Sequence, residues 1–113
     1  MEAEHSAALT VLLDFYGALL TDKQRQIMRL RVEEDLSLSE IAESFGISRQ
    51  AVNDSLRKAE KTLTDMEDKL LLVRRYRHMH AQVLRATQAL ETGKTEEALT
   101  VLKQIQKEGA YGV

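Results

Sequence analysis

The chain has no cysteine and no proline among its 113 residues, and only five glycines. The absence of cysteine excludes disulfides, thiolate metal sites and a thiol nucleophile, and it fits a reducing compartment. Aromatic residues make up only 4% of the chain, so a core must come mainly from Leu, Val, Ile, Ala and Met. No run of about 18 apolar residues occurs, which excludes a membrane-spanning helix. The opening, MEAEHSAALT, is acidic where a secretory signal carries a basic region. A soluble, intracellular chain is expected. A basic excess is also missing: the formal charge is −2, whereas a dedicated nucleic-acid binder usually carries surplus cations to neutralise phosphates.

What is present is hydrophobic residue at helical spacing. With 43% hydrophobic residues the chain can bury a core without staples. No strand-like alternation bounded by turn residues appears, so the expected fold is all-α, with five or six helices. A first helix is predicted over Ser6–Leu20, with Leu9, Leu12, Leu13, Tyr16, Leu19 and Leu20 on its apolar face and Gly17 permitting a close crossing. Thr21 and Gln24 have capping-box spacing, opening a second helix to about Glu34 that buries Ile27, Leu30 and Val32. Ser37 or Ser39 caps a third helix, Gly46 suits the left-handed position after it, and Ser48 caps the next.

From Ser48 no glycine occurs until Gly93. Val52, Leu56, Ala59, Leu63, Met66, Leu70 and Val73 form a heptad-like seam. The seam then shifts to Leu72, Tyr76, Met79, Val83 and Leu90, which predicts a bend or a new helix near residues 65–73. Residues 1–70 are therefore expected to hold the N-terminal helices and the motif below. Residues 71–113 form a C-terminal helical region, either part of the same compact unit or a dimerisation element. Thr95 is expected to cap a final helix, packed through Ala98, Leu102 and Ile105, and AYGV at the end to fray. A homodimer is expected, anchored by Tyr76, Met79 and Val83, because the seam exceeds what so small a domain needs internally.

The stretch SLSEIAESFGISRQAVNDSLRKAEK, residues 37–61, meets the requirements of a helix-turn-helix. Ala42 is small where the second helix crosses, and Gly46 tolerates positive φ at the turn. Val52 and Leu56 lock the second helix onto the first, while Ile41, Phe45 and Ile47 fill the angle. The face opposite Val52 and Leu56 carries Gln50, Asp54, Arg57 and Lys61, flanked by Asn53 and Lys58, with Arg49 at the helix start. Arg49, Gln50 and Asn53 can reach base edges, and Arg57, Lys58 and Lys61 suit phosphates. Asp54 in their midst opposes a groove of negative potential. The residues leave two readings open: a nucleic-acid reader, or a solvated face on a protein-binding platform.

SLSEIAESFGISRQAV resembles the helix-turn-helix of sigma-factor region 4. The longer stretch from Leu12 through Leu63, above all FYGALLTDKQ and GISRQAVNDSLRKAEK, is similar to the bacterial YlxM family, over about residues 9–70. That resemblance implies a small all-helical protein linked to the signal recognition particle, with the particle's GTPase or its RNA as partner. A DNA-binding transcriptional regulator is the alternative.

Other constellations point away from catalysis. Arg74, Arg75 and Arg77 form a second basic cluster that could touch RNA phosphate beside Tyr76. His78 and His80 lie roughly 200° apart on a helix and cannot share a metal. TGKT at 92–95 has the ending of a phosphate loop, but Gln88 stands where the leading glycine is required. No nucleophile, base and orienting group combine. No enzyme, no cofactor and no metal are expected.

Overall fold

The computed structural model describes residues 3–109, and the regular structure within them is helical throughout. Six α-helices follow one another: α1 (Ala3–Tyr16), α2 (Asp22–Val32), α3 (Leu38–Phe45), α4 (Arg49–Leu70), α5 (Leu72–Glu91) and α6 (Thr95–Glu108). The chain divides into two compact units, one ending at Leu70 and the other beginning at Leu71. Leu71 has φ 57°, a left-handed conformation that ends the helical run begun at α4. The expected fraying of AYGV lies outside the described residues.

In the first unit, α1 to α4 enclose the core. Leu9, Leu13 and Tyr16 of α1 are buried, as are Leu20, Ile27, Met28 and Val32 around α2 and Ala59 and Leu63 of α4. Two polar contacts tie α1 down: Ser6 Oγ donates to the Val32 carbonyl at 3.1 Å, and Tyr16 OH donates to Glu67 Oε1 at 2.6 Å. The α4 seam serves this core. Val52, Ala59 and Leu63 are buried and Leu56 and Met66 half-buried, all on the side that packs against α1, α2 and α3. The seam's first half therefore meets a need within the unit.

Several local expectations are corrected. The first helix stops at Tyr16, and Gly17–Leu19 form a single 3-10 turn closed by Leu20 N–H on the Gly17 carbonyl at 3.0 Å. A Cβ on Gly17 would meet Leu13 Cδ1 at 3.4 Å and Arg25 Cδ at 3.8 Å, ordinary contact distances, so Gly17 is not required by a tight helix crossing. Leu19 faces solvent, and Met28 takes the buried position expected for Leu30, which is half-buried.

The second unit is a hairpin of α5 and α6. Gly93 has φ 74°; its N–H donates to the Leu90 carbonyl (3.1 Å) and Lys94 N–H to the Ala89 carbonyl (2.7 Å), the paired bonds that close a helix end. Lys94, not Thr95, precedes the first turn of α6, and no side chain caps it. The predicted α5 seam is also displaced. Leu72, Tyr76, Val83 and Leu90 are exposed and Met79 is half-buried, whereas Val73, Gln82, Ala86 and Ala89 are the buried positions of this helix. Glu108 closes the open end of the hairpin, accepting from Gln104 Nε2 (3.2 Å) and Gln82 Nε2 (3.4 Å) and lying 3.2 Å from His78 Nε2. These contacts, Gln104 first, hold its carboxyl below the usual range against partial burial.

Candidate nucleic-acid interface

The first helix of the motif is fixed at both ends by its own sequence. Ser37 N–H donates to Glu40 Oε1 at 3.0 Å while Glu40 N–H donates to Ser37 Oγ at 3.1 Å, a reciprocal capping box. At the other end Gly46 has φ 66° and ψ 34°. Its N–H donates to the Glu43 carbonyl (3.3 Å), and Ile47 N–H to the Ala42 carbonyl (3.1 Å). Upstream, Asp35 turns left-handed (φ 61°), and Arg31 Nη1 donates to the Leu36 carbonyl at 2.8 Å, tying the α2–α3 connection to α2. Ser48 Oγ then accepts from Ala51 N–H at 3.0 Å and opens α4. Ile41 and Val52 are fully buried and Ala42 nearly so, with Ile27 completing the cluster; Phe45, Ile47 and Leu56 pack around it. The helix-turn-helix geometry is present over residues 37–61.

The Ser37 hydrogen bonds, from its backbone first and its hydroxyl second, hold the Glu40 carboxyl below the ordinary glutamate range. The folded value is the depressed one. Its contribution to stability is thus complete above the unfolded value, about 4.3, and fades as pH falls through the lower folded value. Acid denaturation followed by circular dichroism should show this share of the pH dependence vanish in Glu40→Gln. An identical acid limb in both proteins would contradict it. Ser37→Ala should cost about 1 kcal/mol at neutral pH, read from a denaturant midpoint.

With α3 and the start of α4 locked, the outer side of α4 is set. Arg49, Gln50, Asp54, Arg57, Lys58 and Lys61 are exposed and Asn53 is half-buried. Arg49, Gln50 and Asn53 line a shallow depression of about 300 Å³ with Leu38 of α3. Two side-chain pairs were not expected from the sequence. Gln50 Nε2 donates to Asp54 Oδ1 at 2.9 Å, and Lys61 Nζ to Asp65 Oδ2 at 3.1 Å. Both are i,i+4 pairs, the spacing that could have revealed them. They soften the charge pattern: Asp54 is engaged by a neutral amide, and Lys61 shares its charge with Asp65, an exposed pair of little energetic weight. At its N-terminus, α4 adds the positive end of its dipole to Arg49.

The model of the YlxM / p13-like helix-turn-helix family, UPF0122, matches residues 3–105. The chain belongs to this family. A UPF0122 protein of Desulforamulus reducens is 41% identical over 102 residues, covering 88% of this chain and 87% of that one. One from Bacillus mycoides is 42% identical over 106 residues, covering 92% and 96%, and one from Streptococcus gordonii is 45% identical over 91 residues, covering 80% and 76%. The UPF0122 match extends well past residue 70, where the YlxM-like resemblance ended, and takes in most of the C-terminal hairpin.

The second basic cluster lies on α5. Arg74, Arg75 and Arg77 of this UPF0122 chain spread over roughly 160° of α5, with Arg75 half-buried. Tyr76 stacks on His80, with ring centroids 5.9 Å apart. No described helix is long and apolar enough to cross a membrane, and among the described residues no group of three or more His, Cys, Asp or Glu could hold a metal ion.

Proposed function

We propose that this UPF0122 protein is a cytoplasmic, non-enzymatic accessory protein of the signal recognition particle, regulating protein targeting as a homodimer. In this role the outer side of α4 engages the particle's RNA or its GTPase. The observation that carries a binding role is the helix-turn-helix itself, whose second helix presents Arg49, Gln50, Asn53, Arg57, Lys58 and Lys61 to solvent around Asp54. The family resemblance supports the particle as partner. Asp54 and the net charge of −2 favour a target other than long duplex DNA, whose affinity depends on neutralising many phosphates.

A DNA-binding transcriptional regulator is the second reading, and one observation favours it. Arg49, Gln50 and Asn53 converge on one depression at the start of α4, where a recognition helix places its base-reading side chains. Alanine at these three positions separates the readings. If they read bases in a duplex, each substitution should cost about 1–3 kcal/mol of binding and relax sequence preference. If the face serves the particle, duplex binding stays weak and indifferent to sequence in wild type and variants alike, while particle binding falls.

A further inference from the structure

Asp54 is an exposed carboxylate at the centre of the outer side of α4. Around the helix it stands within about 60° of Gln50, Arg57, Lys58 and Lys61. Lys58 lies four residues on, the spacing at which an aspartate and a lysine pair. Among the described residues, however, Asp54 makes no ion pair. Its carboxylate accepts instead from Gln50 Nε2, one turn earlier, at 2.9 Å. An acid held in this place opposes every phosphate that the surrounding cations attract, so it weakens binding unless it is itself used.

The rest of the face describes its ligand. Between residues 49 and 61 no large apolar side chain is exposed. The buried centre of a protein–protein contact draws on such side chains and on aromatics, and is depleted of Lys and of acids. Arg49, Arg57, Lys58 and Lys61, with the positive end of α4, suit a chain of phosphates. Gln50 and Asn53 add carboxamides where they line one depression with Arg49 and Leu38. This composition fits nucleic acid better than a protein surface.

A carboxylate accepts and never donates, with about four lone-pair sites on its two oxygens. Gln50 takes one site on Oδ1 and steadies the group, which leaves both oxygens able to accept again. The base edge that matches carries two neighbouring donors. Of the four RNA bases only guanine has one, because N1–H and the N2 amino group stand side by side on its Watson–Crick edge. Cytosine and adenine set an acceptor nitrogen beside their amino group, and uracil flanks its N–H with two carbonyls. In a duplex, cytosine takes the N1 hydrogen and one N2 hydrogen, and the major groove shows only the N7 and O6 acceptors of guanine. Single-stranded loops and bulges leave the edge free.

We infer that Asp54 is the specificity-determining residue of this face and takes the Watson–Crick edge of an unpaired guanine in RNA. Gln50 is the positioning residue that holds its carboxylate. The inference rests on the RNA reading of α4 proposed above and names the base that is read. Both bonds from guanine are charge-assisted, and the neighbouring cations hold the flanking phosphates.

Fluorescence anisotropy at physiological salt with three RNA hairpins tests this. The hairpins share one stem and differ at one loop position, which is guanine, inosine or uridine. Inosine keeps N1–H and lacks the N2 amino group. The full chain should bind the guanine hairpin about tenfold more tightly than the uridine hairpin, with inosine between them. Asp54→Asn should bind all three alike with unchanged helix content. Gln50→Ala should shrink the guanine preference and leave the affinity for the uridine hairpin unchanged. If Asp54 only repels phosphate, Asp54→Asn will tighten all three hairpins by the same factor, and that result would overturn the inference. A guanine preference that survives in Asp54→Asn would overturn the role of Asp54. Equal binding of the three hairpins by wild type would overturn the guanine assignment and leave the RNA reading standing. Binding to no hairpin would overturn the inference too, and the RNA reading falls with it only if the particle's RNA is also left unbound.

Discussion

Ile41→Ala is expected to destabilise the N-terminal unit by about 2–5 kcal/mol, the range for a large aliphatic side chain removed from a packed core. Ile41 has no accessible surface and packs in a cluster with Ile27, Ala42 and Val52, so its removal opens a cavity where three helices meet. The walls have little freedom to close it. α3 is clamped by the Ser37–Glu40 box at one end and by the Gly46 turn at the other, and Arg31 ties the preceding connection to α2. Denaturant unfolding should show a lowered midpoint with an unchanged slope. A destabilisation no larger than that of a surface substitution, within about 0.5 kcal/mol, would mean that α3 is not packed as described.

Gly46→Val should come next in size. A Cβ at Gly46 would meet nothing within 4 Å, so crowding contributes no penalty. The effect isolates the backbone: φ 66° lies in the left-handed region, costing an ordinary L-residue about 1–2 kcal/mol and a β-branched one more. Moving φ to relieve the strain would break the Ile47–Ala42 hydrogen bond and swing α4 away from α3. Asparagine tolerates this conformation, so Gly46→Asn should melt between wild type and Gly46→Val. Equal melting temperatures for the two variants would contradict the turn assignment.

The contrast between these residues and α5 explains what the sequence made legible. Thr21 with Gln24, Gly46 and Ser48 act through bonds spanning three to five residues, and each stands where its spacing predicts; of Ser37 and Ser39, both candidate caps, Ser37 is the one used, in a box with Glu40. The inner side of α4 was equally readable, because Val52, Ala59 and Leu63 are its apolar stripe and the core has one place for it. α5 carries two adjacent faces about 80° apart. Periodicity favoured the one with larger side chains, Leu72, Tyr76, Val83 and Leu90, yet α6 packs on the one with alanines, where backbones approach closely. Choosing between such faces depends on the partner helix, which lies beyond any local window. The outer side of α4, the candidate binding face, shows the same limit in milder form. Its residues could be placed on the outer side of α4 from spacing, but the engagement of Asp54 by Gln50 and of Lys61 by Asp65 depends on rotamers.

The most direct test of the proposed role compares binding of the full chain to the particle's RNA, to its GTPase and to random duplex DNA at physiological salt, for wild type and for Arg57→Glu with Lys61→Glu. Wild type should bind one of the two particle components, the double charge reversal should weaken that complex by about tenfold or more, and duplex DNA should bind weakly without sequence preference. Submicromolar, sequence-selective binding to duplex DNA with no affinity for either particle component would contradict the proposal and establish the transcriptional reading in its place.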